Sequence, residues 1–536
     1  MKYLLFTALL IVQIQRGISQ PVLQTPEQAW WNVIHYALQI TPNFDKKYIN
    51  GSNEIRFRVV DTGRLMQIDL QEPLSITSIV WHNTALKIDK KKKDGYLVQF
   101  PTALQKEKIE TITLYFEGLP KVSVKAPWDN GWIWATDKKG RPWMSVTCEG
   151  AGASIWFPCK DVLCDEPDSG ASISLTVPDT LVAVANGRLL QKTVNTNATT
   201  TYTWAVVNTI NNYNIIPYIG KYVSWHKNYP GEKGKLDCDY WVLDYNLDKA
   251  KKQFLQADSM LQCFEYWMGP YPFYEDGYKL VEAPSLGMEH QSAIAYGNEF
   301  GNGFKGRDLS GTGWGLKWDF ILVHESGHEW FGNSITARGY ADTWIHEGFT
   351  KYLETIYTTY ISGTEAGNDY AIGIRKKILN DKPIVGSTSS DQYNKGSTLL
   401  HMIRQLLDDA AFRKLLRAMN KNFYHQNVST DQIVRFINQF SKQDFTKTAE
   451  QYLRTTQIPV LEYTFTNLEF KYRWANCIDG FDMPLQVSFD GRKNRLLKPT
   501  EKWQKLAMPG GAEKTFSVDR NFYADSKLIV QSPAGN

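Results

Sequence analysis

His324-Glu325-Ser326-Gly327-His328, followed after eighteen residues by Glu347, is the stretch that decides how this sequence is read. On a helix, two histidines four residues apart differ by only about 40° around the axis, so both imidazoles can reach one metal ion. Glu325 sits one position beyond the first histidine, beside such a metal and free to act as a base. Glu347 on a second helix can supply a third ligand. A His, His, Glu set leaves a fourth position open for water, as a catalytic zinc ion requires.

The rest of the chain bounds the setting. At 536 residues it is too long for one core and predicts about three domains. Its composition, 43% apolar and 22% charged, is that of an ordinary globular protein. Residues 1–19 read as a secretory signal: Lys2, then a mostly apolar run from Tyr3 to Ile14, then small residues at Gly17-Ile18-Ser19 before Gln20. No later apolar run is long enough to span a bilayer, so an exported, periplasmic or secreted protein without an integral membrane segment after signal cleavage is expected. Removing Lys2 and Arg16 lowers the formal charge from +4 to +2, which gives no reason to expect nucleic acid. The one basic run, Lys90 to Lys93, reads as a solvated hairpin tip. None of the six cysteines forms C-x-x-C, so a cysteine zinc site is not expected; Cys159 and Cys164 are the closest pair for a small disulfide loop.

Residue patterning divides the chain. From about Thr25 to Tyr222 short alternating runs such as Ile55 to Val60, Thr111 to Phe116 and Ile173 to Val177 predict an all-β region, residues 20–222. Residues 223–456 read as mainly helical, with helices over Leu247–Met268, Trp318–Asn333, Trp344–Ile361, Gly396–Asp409, Ala411–Phe423 and Thr430–Phe440. Alternation returns after Ile458-Pro459, so residues 457–536 predict a small β domain. The fold class is multidomain α+β.

The string His324 to Asn333, with Trp344-Ile345-His346-Glu347-Gly348-Phe349 after it, resembles the aminopeptidase N family, gluzincin zinc exopeptidases related to leukotriene hydrolase. The resemblance implies one Zn²⁺ per chain held by His324, His328 and Glu347, with Glu325 as the general base. It also implies a thermolysin-like fold for the helical domain and a small β sandwich at the C-terminal end. Ser285-Leu286-Gly287-Met288-Glu289-His290 resembles the family's G-x-M-E-N motif, which gives Glu289 the substrate amine and Gly287 and Met288 the substrate backbone. Leu286 stands where the family usually has Gly, and His290 where it has Asn. Val146-Thr147-Cys148-Glu149-Gly150 resembles the segment that brings a second acidic group, Glu149, to the amine. Paired carboxylates suit that task, because an ammonium leaving water needs compensating charge. Gln392-Tyr393-Asn394-Lys395-Gly396, read as lying before a helix, resembles the family's Y-x-K-G, with Tyr393 donating to the oxyanion.

The resemblance runs from roughly Asn43 to Phe465. The family's large helical C-terminal domain has no counterpart here, so a more open cleft is expected. The implied activity is hydrolysis of the N-terminal peptide bond of short peptides with a free amine, by metal-activated water. A thermolysin-like endopeptidase, an epoxide hydrolase and a non-catalytic metal-binding scaffold are the alternatives. Glu149 and Glu289 have no use in the first, no lipid pocket is legible for the second, and the third would not need both Glu325 and Tyr393.

Overall fold

A computed structural model describes residues 24–91, 94–387, 389–466, 469–491, 494–507 and 515–530. The expected signal segment, and Lys92 and Lys93 of the basic run, lie outside the described residues.

The N-terminal part is β-rich. Its largest sheet has eight strands, with Trp31–Asn43 paired antiparallel to Tyr48–Val59 and parallel to Ala171–Pro178. Alternation builds it: inward residues such as Val33, Ile55, Phe57, Ile112, Leu114, Ile173 and Leu175 are buried in one core.

The part that follows opens with a five-stranded sheet. Its spatial order is Tyr222–Gly231, Gly234–Leu243, Tyr278–Glu282, Ile294–Tyr296 and Gly287–Met288. The short strand Gly287–Met288 is therefore an edge. It pairs antiparallel with Ile294–Tyr296, and among the described residues no strand pairs with its other side. Helices follow at Phe320–Gly327, Trp344–Ser362, Thr364–Arg375, Asp391–Leu407, Asp409–Asn422, Thr430–Ser441 and Thr446–Arg454.

Several elements differ from expectation. The helix expected over Leu247–Met268 is broken into Leu247–Gln253 and Gln256–Met268. The one expected over Trp318–Asn333 ends at Gly327, and the chain turns at Gly332 with φ +133°. Thr364–Arg375 and Thr446–Arg454 are helices that the sequence reading left unassigned. The C-terminal region forms a four-stranded and a three-stranded sheet. Its Leu461, Phe470, Trp474 and Leu485 pack into the same buried cluster as Leu399, Leu416 and Tyr452 of the helices. All six cysteines are free.

Candidate active site

Asp319 starts the helix that carries the metal motif. Its carboxylate accepts the Leu322 N–H at 3.3 Å as an N-cap, and also accepts from Tyr296 and Asn298 at 2.6 and 2.8 Å. One buried side chain therefore ties the helix to the strand that borders Gly287–Met288. The two elements meet closely: a Cβ on Gly287 would lie 2.8 Å from both Glu325 Oε1 and Ile321 Cγ2. Only glycine lets the edge strand reach the carboxylate. Gly287→Ala should leave the metal ligands in place but displace Glu325, lowering kcat on the order of 10- to 10²-fold. Steady-state kinetics alongside metal content checks this; wild-type kcat would show that the contact is slack.

His324 and His328 converge as their spacing requires, with Nε2 atoms 3.3 Å apart. Glu347 Oε2 lies 3.4 Å from His328 Nε2 and 3.7 Å from His324 Nε2, and no hydrogen-bond donor reaches it. A tetrahedral zinc with bonds of about 2.0–2.1 Å holds its ligands roughly 3.3 Å apart, so this triangle fits the ion. Glu325 also offers an oxygen within 4.8 Å of both histidines. Glu347 Oε2 closes the triangle and has no hydrogen-bond partner among the described residues.

Surrounding groups fix the rings. His324 Nδ1 donates to Glu354 Oε1 at 2.7 Å and His328 Nδ1 to the Phe331 carbonyl at 3.0 Å, which turns both Nε2 lone pairs inward. Glu354 is itself held by Lys351 at 2.8 Å and Tyr370 at 2.5 Å. Sequence reasoning missed this layer, although a signal was present: Glu347, Lys351 and Glu354 recur at helical spacing on one face.

The buried charges of the cluster shift one another. Burial opposes charge on His324 and His328, but Glu347 and its neighbouring carboxylates outweigh it and raise them to about 9 and about 10. Burial would raise Glu347, yet His328 and His324 hold it below the usual carboxylate range. Burial raises Glu325 to about 7, against the pull of the two histidines. Loss of hydration, then Glu289 and Glu347, push Glu149 well above its ordinary value. This concentration of carboxylates is stabilised by cations entering it.

Tyr393 reaches the cluster through a close helix crossing. A Cβ on Gly348 would lie 3.0 Å from the Gly396 Cα, so the two glycines let Asp391–Leu407 settle onto Trp344–Ser362. The Tyr393 hydroxyl then donates to Glu347 Oε1 at 2.8 Å, and its ring stacks on His324. Tyr393 lies in the first turn of that helix, not before it as the sequence suggested.

Glu149 and Glu289 face the same space from two parts of the chain. Glu289 accepts from the Tyr213 hydroxyl at 3.1 Å, and its backbone carbonyl accepts from Asn333 at 2.8 Å. The Glu149 carbonyl accepts from Tyr340 at 2.8 Å. Glu149, Gly287, Met288, Glu289, His324, Glu325, His328, Glu347 and Tyr393 all line one cleft of about 470 Å³. Of the two departures from the resembling motif, Leu286 lines that cleft. His290 does not: it is buried, its Nδ1 is 2.5 Å from the Tyr218 hydroxyl, and burial lowers it to about 3, which keeps the ring neutral.

The chain resembles known proteins in sequence and in fold. Residues 32–213 match the peptidase M1 N-terminal domain and residues 316–452 the peptidase family M1 domain, together more than half of the chain. Aminopeptidase M1 of Arabidopsis thaliana is 25% identical over 346 residues, covering 59% of this chain and 37% of that protein. Human endoplasmic reticulum aminopeptidase 2 is 30% identical over 143 residues, 24% of this chain and 15% of that one. The matched stretch thus spans well under half the length of these relatives. Among solved structures, a mutant M1 zinc metallopeptidase from Deinococcus radiodurans superposes with TM-score 0.69 at 20% identity, covering 81% of this chain and 96% of that one. A two-domain M1 zinc metallopeptidase mutant bound to L-tryptophan superposes with TM-score 0.66 at 21% identity, covering 78% and 94%.

Proposed function

Because the chain belongs to the peptidase M1 family, we propose that it is a zinc aminopeptidase that removes the N-terminal residue of short peptides. The observation that carries this reading is the meeting of two sites in one cleft: a ligand triangle of zinc dimensions, and two carboxylates, Glu149 and Glu289, beside it.

Zinc held by His324, His328 and Glu347 would supply Lewis acidity, polarising a peptide carbonyl and lowering the pKa of water. The protein's own groups do the rest. Glu149 and Glu289 hold the substrate ammonium and set the register at one residue. The backbone of Gly287 and Met288 pairs with the extended substrate along the free edge. Glu325 takes the proton from the attacking water and passes it to the leaving amine. Tyr393, whose hydroxyl lies 2.8 Å from Glu347 Oε1, donates to the oxyanion. An endopeptidase gains nothing from Glu149 and Glu289, since a mid-chain peptide brings no cation to them. The N-terminal run from Lys2 to Ile14 supports export, to the periplasm or outside the cell. Among the described residues no helix is long and apolar enough to cross a membrane.

Metal analysis of the purified protein tests the reading. One zinc per chain is expected, with hydrolysis of aminoacyl anilides lost in strong chelator and restored by added zinc. Activity that persists in a metal-free sample would overturn it.

A further inference from the structure

The amine site fixes the direction in which a peptide must run. Glu289 lies two residues beyond Gly287, and Gly287 is the strand residue that touches Glu325. A substrate with its ammonium at Glu289 and its first carbonyl at Glu325 therefore runs antiparallel to the strand, back toward Leu286, Ser285 and Pro284. Those three residues line a second cavity of about 350 Å³, which shares Trp128 and Leu286 with the catalytic cleft. The two spaces adjoin at Trp128 and Leu286.

The charges in this second cavity are unequal in availability. Lys138, Lys249 and Lys305 line it and are exposed. Lys139 pairs with Asp244 at 3.5 Å, but these three have no carboxylate within ion-pair distance among the described residues. The acidic groups are mostly engaged. Asp137 is buried and bound to Arg141 at 2.6 Å. Glu282 is buried and accepts from the Leu243 N–H and Asn246 at 2.8 and 2.7 Å. Glu299 is the one exposed carboxylate of the lining.

We infer that this cavity receives the far end of the substrate, and that Lys138, Lys249 and Lys305 bind a carboxylate there. The inference rests on the aminopeptidase reading, which supplies the direction. The chain turns between Glu282 and Gly287, which flank Tyr296 on opposite sides, so the cavity opens directly beyond Leu286. The carboxylate thus lies beyond the first residue, as the chain end of a short peptide or as an acidic side chain. The favoured substrates are short anionic-tailed peptides.

The test compares kcat/KM for four substrates sharing one N-terminal residue: a tetrapeptide acid, its C-terminal amide, the amide with Glu at position four, and an aminoacyl anilide with nothing beyond the first residue. Exposed ion pairs are individually modest, so the acid should exceed the plain amide by roughly 5- to 20-fold at low salt. The gap should close in 0.5 M NaCl. A gain by the Glu-containing amide shows that a side-chain carboxylate serves; no gain restricts the site to the chain end. In the triple variant Lys138→Gln, Lys249→Gln, Lys305→Gln, acid and amide should be cleaved alike, with anilide hydrolysis at the wild-type rate. Equal cleavage of acid and amide by the wild type, or a preference that survives in the triple variant, overturns the inference while intact anilide hydrolysis leaves the aminopeptidase reading standing. Absence of anilide hydrolysis by the zinc-loaded wild type overturns both.

Discussion

With Glu325 replaced by glutamine, kcat falls by about 10²- to 10⁴-fold while zinc content stays at one per chain. The reasoning is local. Glutamine keeps the shape of the side chain, so the contacts with Gly287 and the helix survive, and His324, His328 and Glu347 remain free to hold the ion. What is lost is the capacity to accept a proton. In the metal-free cluster burial raises this carboxyl to about 7. Steady-state kinetics paired with metal analysis separates this from loss of the metal. Near-normal turnover would assign the base to another group.

The second large effect belongs to Glu289. Glu289→Ala should lower kcat/KM for peptides with a free amine by about 10²-fold or more, because it removes one partner of a buried charge contact. Residual cleavage of N-acetylated peptides should change far less, since these bring no cation to the site. The Tyr213 hydroxyl would lose its acceptor in the variant, but Asn333 still anchors the backbone carbonyl, so the strand stays in place. A uniform loss on both substrate types would reduce Glu289 to a structural residue.

How much of this was legible depended on whether the signal was local. The metal motif was, because two histidines four apart and a carboxylate one helix later need only helical geometry to converge. The roles of Gly287, Met288 and Glu289 were legible only through the resemblance of residues 285–290 to the family's motif. Tyr393 was half legible. Its motif was visible, but Gly396 looked like a helix start, whereas the helix begins at Asp391. Asp391 is buried and accepts the backbone N–H of Leu379 at 2.9 Å, and Gly348 meets Gly396 across the crossing, so tertiary contacts override local propensity. Glu354 could have been found by its spacing from Glu347. Tyr213 could not: it stands 76 residues from Glu289 and comes from the N-terminal β part, and nothing in its local pattern points there. The hairpin Tyr222–Leu243 carried a turn signal at Gly231 to Gly234 that the helical reading passed over. The union of the C-terminal sheets with the helical core has no local signature either, since it depends on which faces meet.

The most direct test of an aminopeptidase is the zinc-loaded wild type offered one tripeptide in two forms, with its N-terminus free and acetylated. Acetylation removes the charge and adds bulk where Glu149 and Glu289 converge, leaving two carboxylates without their cation. The expected kcat/KM ratio favours the free amine by at least about 10²-fold. A ratio near one would contradict the account, even with zinc bound and Glu325 essential, and would make the enzyme an endopeptidase.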